Sequence, residues 1–264
     1  MKKKRIDTLL VDRGLAESQD MAQRLVMAGE VRVDGEMIHK SSTRVAEDAK
    51  IDVYERPKFV SRGGLKLAAA IDAFDIVVEG KVCADVGAST GGFTDCLLQS
   101  GAEKVYAIDV GYGLLDWRLR QDPRVVVMER TNARYLDELP EVVELVTVDA
   151  SFISLSLILE AVKGWFEDQQ GITLALVKPQ FEAERKVSAV HAGVIKDDAV
   201  LAEVLEATLA DAVALGFYPR DLIPSPIRGP KGNVEFLVNL SLEGPTGQSE
   251  INLMIARAVQ NKPD

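Results

Sequence analysis

Cysteine and histidine are scarce: Cys83, Cys96, His39 and His191 are all that the 264 residues contain. Two cysteines cannot build a disulfide framework, and here they fall in an apolar strand and on a helix without metal-ligand spacing. Both read as core packing, and no metal is expected. His39 reads as a surface residue and His191 as part of a loop over a substrate rather than as a base. No apolar run approaches the roughly 20 residues that a membrane-spanning helix needs. Met1-Lys2-Lys3-Lys4-Arg5 leads into Ile6-Asp7-Thr8 instead of the apolar core of a secretion signal, so a cytoplasmic chain with no stable membrane association is expected.

Positive charge is also in short supply, with 31 Lys and Arg against 41 Asp and Glu, a formal net charge of −10. Its distribution is uneven. Residues 1–60 hold 12 Lys and Arg against 11 Asp and Glu, a net of +1, which leaves −11 on the remainder. A local basic face is therefore compatible with an acidic chain. Within the first segment a helix is expected over Arg5–Val11 and a second, capped by Ser18, through Met27, with Ala22, Leu25 and Val26 inward and Gly29 ending it. Val31-Arg32-Val33, a turn at Asp34-Gly35 and Met37-Ile38 read as a hairpin.

The stretch Tyr54–Gly64 contains Pro57 and paired glycines, which place a domain boundary there. The expected division is a small domain over 1–58, a linker over 59–64, a large domain over 65–244 and a tail over 245–264, read as disordered or as helical. From Leu65 onward helices alternate with short β-branched strands at 82–86, 104–109, 125–128, 145–148 and 172–177, and late strands near 217–223 and 234–240 follow. The helices fall at 65–74, 93–100, 153–165 and 198–215. This is the pattern of an α/β fold, Rossmann-like, with a mostly parallel sheet covered on both faces. Pro224, Pro226, Gly229, Pro230 and Gly232 between the late strands suggest an antiparallel last strand, the mark of a class I methyltransferase rather than of a dehydrogenase.

Val82–Val86 runs into Gly87-Ala88-Ser89-Thr90-Gly91-Gly92-Phe93, a strand, a glycine turn and a helix start suited to a nucleoside cofactor. Thr90 or Thr94 is the expected helix cap. Asp109 ends the next strand, 22 residues beyond Gly87, where a carboxylate can grip ribose hydroxyls. Residues just after strands face the ligand rim of an open sheet, which singles out Asp149 and Lys178, a natural ion pair. Glu235 opens the last strand, and Lys66 lies on the first turn of the helix after Gly63-Gly64.

The run from Arg13-Gly14-Leu15 through Ser18, Ala22, Leu25, Gly29 and Asp34-Gly35 to Lys40 resembles the small RNA-binding module first seen in ribosomal protein S-four. That likeness implies RNA contacts from Arg5, Arg13, Ser18, Arg24, Arg32 and Lys40. Lys66, Asp149, Lys178 and Glu235, in that order around a glycine loop, resemble the Lys-Asp-Lys-Glu tetrad of FtsJ-type ribose 2′-O-methyltransferases. With Ser61–Leu67, Asp85–Phe93 and Ser225–Gly229, the resemblance narrows to the TlyA family and covers nearly the whole chain. It implies an S-adenosylmethionine-dependent methyltransferase acting on a ribose 2′-hydroxyl, of cytidine, in ribosomal RNA or ribosomal subunits. The implied cofactor contacts are Asp85, Gly87, Ala88, Ser89, Gly91, Gly92, Phe93, Asp109 and Asn132.

A ribose hydroxyl is a poor nucleophile, so methyl transfer needs the oxygen held in line and its proton drawn away. Lys178 is expected to orient or deprotonate the hydroxyl, Lys66 and Asp149 to position it, and Glu235 to complete the network. Three alternatives stand beside this reading. One is a hemolysin-type membrane-active protein, suggested by an older name in the family. Another is a nonenzymatic rRNA-binding assembly factor. The third is a nicotinamide dehydrogenase, disfavoured because the spacing from Gly87 to Gly91-Gly92 departs from Gly-x-Gly-x-x-Gly.

Overall fold

The computed structural model describes residues 2–54, 57–167, 170–183 and 194–263. The chain divides into two compact units, Met1–Pro57 and Lys58–Asp264.

The first unit contains β1 (Lys3–Arg5), α1 (Ile6–Asp12), α2 (Gln19–Met27), β2 (Val31–Val33), β3 (Glu36–Met37), β4 (Arg44–Ala46) and β5 (Ile51–Val53). Both expected helices and the hairpin are present. Asp34 and Gly35 take φ of 52° and 87°, so both turn residues are left-handed, as a tight two-residue hairpin requires. Strand β1 was not anticipated. Its three basic residues carry no alternating pattern, yet Lys3–Arg5 pairs antiparallel with Arg44–Ala46. Ile6, Leu10, Ala22, Val26 and Val31 are fully buried beneath the two helices.

The second unit runs α3 (Gly63–Ala73), β6 (Val82–Val86), α4 (Gly92–Gln99), β7 (Lys104–Asp109), α5 (Trp117–Arg120), β8 (Val125–Glu129), β9 (Leu145–Val148), α6 (Leu155–Val162), β10 (Ile172–Val177), α7 (Pro179–Glu182), α8 (Asp198–Ala214), β11 (Tyr218–Pro224), β12 (Phe236–Ser241) and α9 (Gln248–Gln260). Among the described residues seven strands form one sheet in the order β11-β12-β10-β9-β6-β7-β8. β6 to β10 are mutually parallel, and β12 is antiparallel to both its neighbours. The class I methyltransferase architecture expected from the strand pattern is therefore observed.

Alternation along the strands explains the two-sided core. In β6 Ala84 and Val86 join a cluster with Leu159 of α6, Leu205 of α8 and Ile255 of α9, while Cys83 faces Leu67 of α3 and Leu97 of α4. Successive side chains of a strand point to opposite faces, so each strand feeds both layers.

One boundary differs from expectation. The segment 59–64 is packed, not a linker: Phe59 is buried, the Val60 N–H donates to Asp95 Oδ2 at 2.8 Å, and α3 already begins at Gly63. Gly64 serves close packing instead of breaking structure, because a Cβ on it would lie 2.2 Å from the Phe59 ring, and Gly92 of α4 allows the approach of α3, since a Cβ there would lie 2.9 Å from the Gly64 nitrogen. At the other end, residues 248–260 are helical, with Ile251, Ile255, Ala258 and Val259 buried along one stripe.

Candidate active site

Gly87, at φ 84°, turns the chain off the end of β6, and its N–H and that of Ala88 donate to the Ile108 carbonyl. A Cβ on Gly87 would meet the Asp149 carbonyl oxygen at 2.6 Å, so only glycine lets the ends of β6 and β9 come together here. Gly91, at φ 95°, is the residue ahead of α4, and no side chain caps that helix. Thr94 is instead one turn inside. Its hydroxyl donates to Asp85 Oδ2 at 2.6 Å, while Thr147 donates to Oδ1 at 3.0 Å. The expected threonine cap is thus replaced by a bare glycine end, and Thr94 serves a buried carboxylate.

Three cavities open on this rim and share Gly87, Ser89 and Asp149. One, of about 440 Å³, is lined by the glycine loop including Ala88, Gly92 and Phe93, by Ser61–Gly63 and by Arg228. A second, of about 580 Å³, has Asp109 and Asn132 beside the apolar Ile108, Val110, Leu114 and Ile158. The third, of about 470 Å³, is lined by Lys66, Asp149, Lys178 and Glu235 together with Ser151, Phe152 and Phe181. Topology brings the four charged side chains to one place: Lys66 from α3, Asp149 and Lys178 just past β9 and β10, and Glu235 just before β12.

They form two ion pairs. Lys178 Nζ lies 2.5 Å from Asp149 Oδ1 and donates to Ser151 Oγ at 2.9 Å. Lys66 Nζ lies 2.6 Å from Glu235 Oε2, with side-chain exposures of 10% and 2%. Lys66 is thereby bonded to Glu235 and not to Lys178. Gly229 brings its loop against this pair, since a Cβ there would approach Glu235 Oε1 to 2.5 Å.

The implied cofactor residues separate into two groups. Gly87, Ala88, Ser89, Gly92, Phe93, Asp109 and Asn132 line the cavities. Asp85 and Gly91 do not. Asp85 is fully buried behind the loop, and burial pushes its carboxyl up to about 6, against the opposing pull of the two threonine hydroxyls. Gly91 packs under Leu115 and Leu119. Asp109 accepts from the Ser89 N–H at 2.7 Å and the Gly111 N–H at 2.6 Å, one on each oxygen. Asn132 accepts from the Arg134 N–H.

The cavities fit S-adenosylmethionine. The cavity along the glycine loop adjoins an apolar slot with the Asp109 carboxylate at its edge, as a purine face and a ribose diol require. No group of His, Cys, Asp or Glu able to hold a metal occurs among the described residues. His191 lies outside them. Ser151, Phe152 and Phe181 went unnoticed in the sequence, where only their closeness to Asp149 and Lys178 could have pointed to them.

In the first unit the implied RNA residues also separate. Arg5 is forked onto the buried Asp7, its Nη2 at 2.7 Å from Oδ2. Arg13 donates to the carbonyls of Ala49 and Glu47, and Ser18 Oγ caps α2 by accepting from the Met21 N–H at 3.2 Å. These three hold the module together. Arg24, Arg32 and Lys40 are exposed, and the Arg32 guanidinium sits 5.4 Å from the Tyr54 ring centre.

Comparison with known proteins follows the same two units. Residues 59–242 match the FtsJ-like methyltransferase model, and residues 4–51 match the S4 domain. The chain is 43% identical over 267 residues to the Mycobacterium tuberculosis "16S/23S rRNA (cytidine-2'-O)-methyltransferase TlyA", covering 98% of each. This chain belongs to the TlyA family of FtsJ-like methyltransferases. A further relative, "Hemolysin A" of Brachyspira hyodysenteriae, is 40% identical over 243 residues, 89% of this chain and 98% of its own. Among solved structures, "Putative hemolysin from Streptococcus thermophilus" aligns with a TM-score of 0.72 at 41% identity, covering 98% of this chain and 97% of that one. As a TlyA-family member the chain is an S-adenosylmethionine-dependent RNA 2′-O-methyltransferase.

Proposed function

We propose that this chain methylates the 2′-hydroxyl of a cytidine in ribosomal RNA, in the cytoplasm, with Lys66, Asp149, Lys178 and Glu235 as its working side chains. The observation that carries the assignment is the convergence of these four residues on a cavity sharing Gly87, Ser89 and Asp149 with the slot that fits adenosine. S-adenosylmethionine, when bound, supplies an electrophilic methyl carbon on a sulfonium. The glycine loop and Asp109 hold it, and the chain's other residues prepare the nucleophile.

Lys178 is the residue placed to act on the hydroxyl. Asp149 and Ser151 engage two directions of its nitrogen, which are the two N–H groups of the neutral amine, and this fixes the head group while leaving the lone pair free to face a substrate hydroxyl. As the oxygen becomes a nucleophile, Lys178 in its neutral amine form takes the hydroxyl proton on its nitrogen lone pair, and Asp149 stabilises the ammonium that results. The buried pair of Lys66 and Glu235 forms another wall of the same cavity and keeps its local charge balanced. Arg24, Arg32 and Lys40 of the first unit supply contacts to RNA phosphates. No described helix is long and apolar enough to cross a membrane.

The test is transfer of tritium from labelled S-adenosylmethionine to ribosomal subunits. Wild-type protein is expected to deposit label that maps to a cytidine ribose. Lys178→Ala is expected to lose about 10²- to 10⁴-fold in rate while calorimetry still finds the cofactor bound. An unlabelled subunit with wild-type protein, or equal labelling by both proteins, overturns the assignment.

A further inference from the structure

The turn after β10 is fastened to the loop after β9 at three successive points. Lys178 meets Asp149 and Ser151; the Phe181 ring packs against Phe152 with centroids 4.8 Å apart; and Glu182 reaches Ser154 and Leu155. The third contact is the least expected. Ser154 precedes α6, where its own hydroxyl would ordinarily cap the helix, but it makes no such bond. Glu182 does the capping from another element. Its Oε1 accepts from the Leu155 N–H at 2.9 Å and its Oε2 from the Ser154 hydroxyl at 2.8 Å.

We propose that Glu182 is a positioning residue for methyl transfer, clamping the 149–155 loop to the Lys178 turn so that Asp149 and Ser151 hold the lysine head group. The inference rests on the function proposed above. Its geometric basis is that the clamp closes a ring. From Lys178 the chain runs through Phe181 to Glu182, across to Ser154 and Leu155, and back along the loop to Asp149 and Ser151. Every link is a short covalent segment or a direct contact, so slack at Glu182 passes to Lys178 within a few residues. A carboxylate at the start of α6 also faces the positive end of the helix dipole, which favours this placement. Burial raises the Glu182 carboxyl above its ordinary range, with the Asp211 charge adding to the effect and the two donors opposing it. Both contacts are hydrogen bonds made at the full reach of the side chain, and glutamine can reproduce them, its amide oxygen accepting from the Leu155 N–H and its amide N–H donating to the Ser154 hydroxyl oxygen.

Three variants test this on the full chain with ribosomal subunits. Glu182→Ala and Glu182→Asp, which respectively lack the acceptor and fall one methylene short, are each expected to lower kcat about tenfold with the KM for S-adenosylmethionine unchanged. Glu182→Gln, which keeps the reach without the charge, is expected to recover kcat to within about threefold. A structural role alone would lower stability and raise KM without this division between Asp and Gln. If Glu182→Ala does not fold, the Asp and Gln pair still decides. The inference is overturned if Asp and Gln behave alike, or if the cofactor KM rises while kcat holds. A wild-type protein that transfers no label would instead overturn the proposed function.

Discussion

Lys66 Nζ and Glu235 Oε2 lie 2.6 Å apart across 169 positions of the chain, joining α3 to the segment ahead of β12 in a nearly dry setting. Removing one member of a buried pair strands the other charge. Glu235→Ala is expected to destabilise the protein by about 3 to 5 kcal/mol in urea unfolding, while Lys66→Met with Glu235→Leu recovers most of that loss. The double variant should be inactive in methyl transfer despite its stability. A Glu235→Ala protein within about 1 kcal/mol of wild type would show that the pair is solvated and worth no more than a surface one.

Gly87 makes a second prediction. Alanine there meets two obstacles, a φ of 84° and the Asp149 carbonyl oxygen 2.6 Å from its Cβ. The left-handed backbone alone costs roughly 1–2 kcal/mol, and the carbonyl belongs to the main chain and cannot rotate away. Gly87→Ala is expected to lower the melting temperature and to abolish cofactor binding by calorimetry, because the residue sits where all three cavities meet. Unchanged cofactor affinity would place the ligand elsewhere.

Asp85 gives stability a pH dependence of unusual sign for a carboxylate. Its folded-state value is raised to about 6 from an ordinary 3.8, so folding favours the protonated form. The resulting stabilisation is complete below the ordinary value and disappears as pH climbs through 6. Asp85→Asn keeps an oxygen for a threonine hydroxyl and does not titrate. Measured against wild type, it is expected to gain up to about 3 kcal/mol in relative stability between pH 4 and pH 7. A stability difference that stays flat over this interval would mean that Asp85 is ionised at little cost.

The same carboxylate shows where sequence reading reached its limit. Asp149 and Lys178 just follow strands, and the rule that sites lie there picked them out; Asp85, inside β6, entered through the family resemblance, and only alternation within β6 decides that it faces Thr94 behind the loop. The strands were legible because apolar β-branched runs between glycine turns leave few alternatives, Asp149 and Lys178 because they directly follow such runs, and the full tetrad because its order resembles a known family. Contacts between distant segments left no such mark. Nothing about Glu182 in sequence indicates that it caps α6 in place of Ser154, and Gly63-Gly64 looks identical whether it breaks a chain or lets α3 pack closely on Phe59. Residue type identified the donors and acceptors, and the fold chose their partners.

The basic residues of the first unit provide the last prediction, since the structure gives them different tasks. Arg13 spends its guanidinium on the carbonyls of Ala49 and Glu47, whereas Arg24 and Arg32 keep theirs at the exposed surface. Arg24→Gln with Arg32→Gln is expected to weaken binding to ribosomal RNA and to reduce the dependence of log affinity on log salt by about 2, one unit for each lost phosphate contact. Thermal unfolding of that variant should match wild type. Arg13→Ala should reverse the pattern, lowering thermal stability through two lost carbonyl partners while leaving the salt slope nearly intact. Both quantities come from filter binding over a salt series and a melting curve. Equal salt slopes for wild type and the double variant would remove Arg24 and Arg32 from the RNA surface.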